Sequence, residues 1–230
     1  MKTIGLIGGM SWESSLEYYR IINKAVKNKL GGLHSAKSIL YSVDFEVIEK
    51  LQHQGDWEEL TKIMIESAQR LERAGADMIV ICTNTMHKMA EEMEKKINIP
   101  LLHIADATAL KIKDYGLKII GLLGTKFTME KDFYKGRLVN NYGLEVIVPD
   151  TEERQIVHDI IYNELCLGEI KESSKISYLK VIENLEKKGA EGIILGCTEI
   201  PLLIKQTDVK IPLFDTTKIH AEFAVDFSIK

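Results

Sequence analysis

Two of the three cysteines in this 230-residue chain lie in matched surroundings. Cys82 interrupts GADMIVICTNTMHKM (residues 75–89), and Cys197 interrupts GAEGIILGCTEIPLL (189–203). Each stretch runs Gly-Ala-acid, then an apolar run, then Cys-Thr, with one extra residue, Gly196, before the second cysteine. A short apolar run closed by small polar residues reads as a buried parallel strand meeting the start of a helix. In open parallel sheets ligands bind outside the carboxyl ends of strands, so both thiols are expected where ligands bind. A following helix N-terminus favours anions, which predicts a thiol pKa below the usual ~8.5 and a populated thiolate. Thr83, Asn84, Thr85 and Thr198 supply donors for a carboxylate at the same positions.

The resemblance between the two stretches is one of three. IGLIGG (4–9) resembles IGLLGT (120–125), and IPLLHIADAT (99–108) resembles IPLFDTTKIHA (211–221). The offsets from Ile4 to Ile120, Cys82 to Cys197 and Ile99 to Ile211 are 116, 115 and 112 residues. Three matches in the same order at nearly one offset indicate an internal duplication. An approximate twofold relation between the copies is expected to bring Cys82 and Cys197 to face each other across a cleft. Opposed thiol and thiolate suit inversion of a carbon centre, in which a base removes a proton from one face and an acid delivers one to the other. A reversible inversion asks for two chemically similar groups, and one cysteine per copy supplies them.

The elements that must position these thiols alternate between strand and helix. In the first copy, strands are predicted at 3–9, 35–44 and 78–81. Helices are predicted at 12–30, with apolar spacing at Leu16, Tyr19, Ile22 and Val26, and at 56–76, closed by Gly75. In the second copy, strands fall near 118–124, 144–148 and 192–196, and helices near 128–140, 151–167 and 172–188. This alternation predicts an α/β fold of two pseudo-symmetric lobes, each a parallel sheet flanked by helices, with the site in the cleft between them. Residues 1–98 plus 208–230 are expected to form the first lobe and 99–207 the second. Four prolines and no low-complexity linker predict closely packed lobes.

Composition narrows the function. The chain is 45% hydrophobic and 28% charged with a formal net charge of −4, and its Lys and Arg residues are scattered. No basic patch marks a nucleic-acid or membrane surface, and no apolar stretch approaches a membrane span. The N-terminus reads as a first core strand rather than a signal peptide, and three widely separated cysteines read as free thiols in a reducing cytoplasm. Cys166 has no counterpart in the other copy and reads as structural. GLIGGM lacks the full dinucleotide fingerprint and reads as a tight turn, followed by Ser11 as a helix cap. His87, His103 and His220 are not spaced like metal ligands; His87 reads as a packing residue. His103 and Asp215 occupy equivalent strand ends and could orient the site.

GLIGGMSWES, CTNTMHK, GCTEI and IHAE resemble the aspartate/glutamate racemase superfamily, and the similarity covers essentially the whole chain. The resemblance implies catalysis without pyridoxal phosphate or metal, with Cys82 and Cys197 as the acid/base pair. It implies substrate contacts at Met10, Ser11, Gln52, Asn84, Thr85, Thr198 and Glu199, to which Thr83 and Thr125 are added, and a last helix returning to the first lobe. The expected partner is a small amino acid, glutamate or aspartate first, and the expected assembly is a homodimer.

Aspartate-specific relatives grip the side-chain carboxylate with an arginine in the first lobe, whereas this chain has none between Arg20 and Arg70 and offers Gln52 instead. A neutral amide holds a carboxylate more weakly than a guanidinium, which predicts broader specificity. Lys171 could reach that carboxylate from the second lobe or be a solvated helix-start lysine. Glu199, where glutamate racemases typically carry histidine, reads as a base behind the thiol or a contact to the substrate ammonium. The competing functions are a maleate-type isomerase, a decarboxylase or a hydantoin racemase within the superfamily, a non-catalytic two-lobed carboxylate binder, and a dithiol redox protein. The last lacks C-x-x-C, and two thiols flanking a substrate carbon stand too far apart for a disulfide.

Overall fold

The computed structural model describes all 230 residues. In chain order the elements are β1 (Ile4–Gly8), α1 (Trp12–Leu30), β2 (Ser38–Ser42), α2 (Phe45–Gln54), α3 (Trp57–Arg73), β3 (Met78–Ile81), α4 (Ala90–Glu94) and α5 (Ile104–Asp114). The second half continues with β4 (Ile119–Gly124), α6 (Lys126–Glu130), α7 (Asp132–Tyr142), β5 (Glu145–Ile147), α8 (Thr151–Asn163) and α9 (Glu172–Lys187). It closes with β6 (Gly192–Gly196), α10 (Ile200–Leu203), β7 (Leu213–Asp215) and α11 (Thr216–Ile229).

All strand pairings are parallel. One sheet has the order β2-β1-β3, extended past β3 by a parallel bridge between Ile79 and Leu101. The other has the order β5-β4-β6-β7. The two orders match once the Leu101 bridge is set beside β7, so the repeat seen in the sequence is a repeat of topology. It extends to single hydrogen bonds. Ile79 N–H donates to Pro100 O and Ile193 N–H to Pro212 O, each at 2.8 Å. The acid of each Gly-Ala-acid motif holds the start of the neighbouring strand. Asp77 accepts from Thr3 N–H, and Glu191 accepts from the N–H groups of Lys118 and Ile119.

The central strands β1, β3 and β6 are buried along their whole length, whereas the edge strands β2 and β5 are only partly covered. Strands covered on both faces read as unbroken apolar runs, which is why β1 and β3 stand out in the sequence. Alternate residues of the first sheet feed two cores. Ile4, Leu6, Met78, Val80 and Cys82 pack with Tyr18, Ile22 and Val26 of α1 and with Ala221, Ala224 and Val225 of α11. Ile7, Ile79 and Ile81 pack with Leu60, Met64, Ala68 and Leu71 of α3 on the other face.

Three expectations are corrected. α1 buries Ser14, Ser15, Tyr18, Ile22 and Val26, so the predicted stripe holds at Ile22 and Val26 but is turned one position at Leu16 and Tyr19, which are half exposed. α2 is a helix in the stretch around Gln52, to which no element was assigned from sequence; Asp44 caps it by accepting from Glu46 N–H, and Gly55 closes it in the left-handed conformation. The chain divides into Met1–Ile104 with His220–Lys230 and Ala105–Ile219, not at 98 and 208. Ladder pairing accounts for the shift: Leu101 bonds to the first sheet, and β7 bonds to β6 in the second.

Candidate active site

In the first unit, the carboxyl ends of β1 and β3 carry the GGMS turn and the Cys82-Thr83-Asn84-Thr85 turn. Gly9 has φ +90°, and a Cβ there would collide with the Val43 carbonyl, so only glycine fits. Ser15 fixes the turn by accepting from Gly9 N–H at 2.8 Å and donating to Ser11 O at 3.0 Å. Ser11 caps α1 by accepting from Ser14 N–H, as the sequence predicts. Cys82 N–H continues the ladder to Ile7 O, and Ser14 Oγ donates to the Cys82 carbonyl at 2.7 Å. The cysteine backbone is thereby held from both sides. Met10, Ser11, Gln52, Asn84 and Thr85 are all buried. The Gln52 amide donates to Met86 Sδ at 3.1 Å, a weak acceptor for a buried amide.

The three histidines that appeared unrelated in sequence converge behind this turn. His87 Nδ1 bonds to Thr83 O at 2.8 Å, and Ile104 N–H donates to His87 Nε2 at 3.2 Å. His220 Nε2 bonds to Leu102 O at 2.7 Å, and its Nδ1 meets Tyr18 Oη at 2.9 Å. The His87 ring lies 4.6 Å from that of His103 and 5.5 Å from that of His220, centroid to centroid. These bonds engage both ring nitrogens of His87 and of His220, and the three rings do not form a metal-binding group.

In the second unit, Thr125 follows β4 and caps α6, accepting from Thr128 N–H. Gly124 and Gly196 pair across β4 and β6, and a Cβ on Gly196 would stand 2.8 Å from the Leu123 carbonyl. The residue that lengthens the second motif is therefore a glycine needed for close strand approach. Cys197 Sγ donates to Glu199 Oε2 at 2.9 Å, and Thr198 Oγ1 donates to the same oxygen at 2.7 Å. Lys171 stands at the start of α9, half exposed, 2.9 Å from Glu169 and 3.6 Å from Glu164. Its charge is already engaged by acids of its own loop. Asp215 caps the start of α11 by accepting from Lys218 N–H at 3.1 Å.

Both thiols are held as thiols, contrary to the expected thiolate. Burial pushes the Cys82 pKa up. Burial, followed by the Glu199 carboxylate, pushes Cys197 up as well. The helices expected to stabilise thiolates are short. A five-residue 3-10 helix, Thr85–Met89, running into the five-residue α4, follows Cys82, and the four-residue α10 follows Cys197. A helix end contributes at most about 2 kcal/mol, roughly 1.5 pKa units, whereas burial shifts a fully enclosed group by up to about 3–5 units. Desolvation wins at both cysteines. Cys197 keeps part of its surface open, whereas Cys82 is fully enclosed.

Sequence reasoning passed over Ser14 and Tyr18 and read only a structural place for Cys166. The last lies half-buried in the turn Leu165–Leu167, which packs on α10, and its thiol also raises Cys197. Ser14 and Tyr18 lie on the buried face of α1 and were hidden by the misplaced stripe.

The architecture is that of a duplicated α/β protein with a cysteine turn at the same strand end of each half. Residues 7–224 match the Asp/Glu/hydantoin racemase family, and the chain belongs to it. The chain is 56% identical to a Yersinia pestis protein of known structure described as a candidate Asp/Glu racemase, with TM-score 0.95 and complete coverage of both chains. It is 39% identical to an aspartate racemase homologue from Pyrococcus horikoshii, with TM-score 0.87 and complete coverage of both. It is also 28% identical to the broad-specificity amino-acid racemase RacX of Bacillus subtilis over 175 residues, 74% of this chain and 73% of that one. No helix is long and apolar enough to cross a membrane.

Proposed function

We propose that this enzyme racemises a small amino acid, with aspartate or glutamate as leading substrates and tolerance for others, by two-base proton transfer between Cys82 and Cys197. The observation that carries the reading is the pair of cysteine turns closing β3 and β6, equivalent strands of two sheets with one topology. The names of the similar proteins, which span Asp/Glu, aspartate and broad-specificity racemases, support the substrate class.

One thiol must lose its proton before it can act as a base. Glu199 is bonded to Cys197 and can take that proton, leaving a thiolate beside a neutral carboxyl group. That thiolate removes the α-proton from one face of the substrate, and the Cys82 thiol delivers its proton to the other. The product is the opposite enantiomer, with Cys82 now the thiolate and Cys197 the thiol. The reverse reaction follows the same path. Burial of Cys82 keeps it protonated until the carbanion forms, which suits it to deliver rather than abstract at the start of the cycle.

Incubation of purified protein in deuterium oxide with a panel of L-amino acids, followed by chiral separation, tests the assignment. Appearance of the D-enantiomer with α-deuterium from aspartate, glutamate or a related substrate is expected. No D-enantiomer from any of them would sink it.

A further inference from the structure

We propose that His87 is a positioning residue, whose neutral imidazole, with Nδ1 protonated, locks the Cys82 turn to the chain entering α5. The inference rests on the racemase reading for its catalytic consequence, but its geometric content does not depend on that reading. A backbone N–H can only donate, so the Ile104 N–H fixes His87 Nε2 as a lone pair. The proton then sits on Nδ1, facing the Thr83 carbonyl, which can only accept. His220 is held in the opposite tautomer. Leu102 O requires a proton on Nε2, and the Tyr18 hydroxyl donates to Nδ1.

The network joins four segments around one turn. Ser14 of α1 holds the Cys82 carbonyl, and His87 holds the Thr83 carbonyl and the Ile104 amide. His220 of α11 holds the Leu102 carbonyl, and Tyr18 of α1 orients His220. The thiol of Cys82 therefore hangs from a backbone whose two neighbouring carbonyls are both tied. A displacement of about 1 Å at a reacting group is enough to cost roughly 100-fold in rate.

The titratable groups that face His87 are His103 from the segment before α5, His220 from α11, and Tyr18 of α1 behind His220. None of these is an acid that would favour the imidazolium. Burial and the two neighbouring imidazoles push the His87 pKa well below its ordinary value of 6.5. A second proton on the ring would also have to displace the Ile104 N–H.

The test uses the full chain and two readouts. In ¹⁵N-histidine spectra at neutral pH, His87 and His220 are expected as opposite neutral tautomers, and His87 is expected not to titrate between about pH 5 and 8. Site-resolved iodoacetamide labelling then compares wild type, His87→Gln and His87→Leu, with Cys166 of the other unit as internal reference. His87→Leu is expected to speed labelling of Cys82 roughly tenfold or more through loss of two buried hydrogen bonds, leaving Cys166 unchanged. His87→Gln, whose amide both donates and accepts, is expected to restore protection. In the racemase assay, His87→Leu should lower kcat roughly 100-fold with KM little changed, and His87→Gln should recover most of it.

The opposite tautomer, a titrating His87, or an unprotected Cys82 in His87→Gln would overturn the proposal. So would wild-type protection and kcat in His87→Leu. If Cys82 and Cys166 label faster together, the leucine variant has unfolded, and the tautomers and the glutamine variant decide. A wild type that racemises nothing would refute the functional reading alone, since spectra and labelling still decide the network.

Discussion

Cys197 and Glu199 share a hydrogen bond of 2.9 Å, thiol to carboxylate, at the carboxyl end of β6. The matched cysteine, Cys82, lies in an apolar core with Ile4, Leu6 and Val80, and its pKa is raised by burial alone. Two thiols that look alike in sequence therefore stand in different surroundings, only one of them bonded to a carboxylate.

Glu199→Gln separates two effects of that carboxylate. Its charge helps hold the Cys197 thiol protonated, so the amide should lower the thiol pKa and speed alkylation of Cys197 at neutral pH. As the proton acceptor it is needed for turnover, so kcat/KM should fall by about 10²–10⁴. Enantiomers have equal free energy in water, so the fall must be the same in both directions. A variant with slow racemisation and a faster-labelling Cys197 is the expected signature. Unchanged racemisation would remove Glu199 from the mechanism.

Stability should fall at alkaline pH because of Cys82. Its folded pKa lies above its ordinary value of 9.0. Above pH 9 the unfolded chain releases this proton while the folded chain keeps it, so unfolding gains. The contribution is complete below about 9 and is lost as pH rises toward the folded value. Cys82→Ala should flatten the decline of Tm between about pH 8 and 10.5, beyond any constant offset from the lost side chain. Parallel Tm curves for the two proteins would contradict the assignment.

Substrate range tests the side-chain readers. Lys171 is paired with Glu164 and Glu169, so Lys171→Ala should lower kcat/KM for aspartate and glutamate only modestly relative to a neutral amino acid. Gln52 is a buried amide bonded to a thioether, and Gln52→Arg should shift preference toward an acidic substrate through bidentate pairing. Strict aspartate specificity in the wild type, insensitive to Lys171→Ala, would mean that other residues read the side chain.

The parts of this molecule visible in sequence are those specified locally. β1, β3, β4 and β6 are apolar runs because helices cover both faces, and the repeated Gly-Ala-acid motif is kept by strand-start hydrogen bonds at Asp77 and Glu191. The two-lobed α/β class followed from those runs and the repeat, and the family from the resemblance carried by GLIGGMSWES, CTNTMHK, GCTEI and IHAE. What stayed hidden depends on contacts distant in the chain. Tyr18 and His220 are 202 residues apart, and His220 and Leu102 are 118 apart. No spacing rule links them. The thiol pKa values were misjudged for a related reason: a helix start is readable from sequence, but the completeness of burial around Cys82 is a property of the packed core. Leu16 and Tyr19 misled because apolar residues on an outer face satisfy the same period as a core stripe.

The central claim is that Cys82 and Cys197 serve opposite faces of one α-carbon, and deuterium wash-in from each pure enantiomer tests it directly. In deuterium oxide, wild-type product should carry α-deuterium from the first turnovers, while the remaining substrate keeps its proton. Cys82→Ala and Cys197→Ala should each abolish inversion. Each should retain, at most, exchange at the α-carbon of a single enantiomer, and the enantiomer should differ between the two variants. Near wild-type racemisation by both variants, or exchange of the same enantiomer by both, would contradict the account.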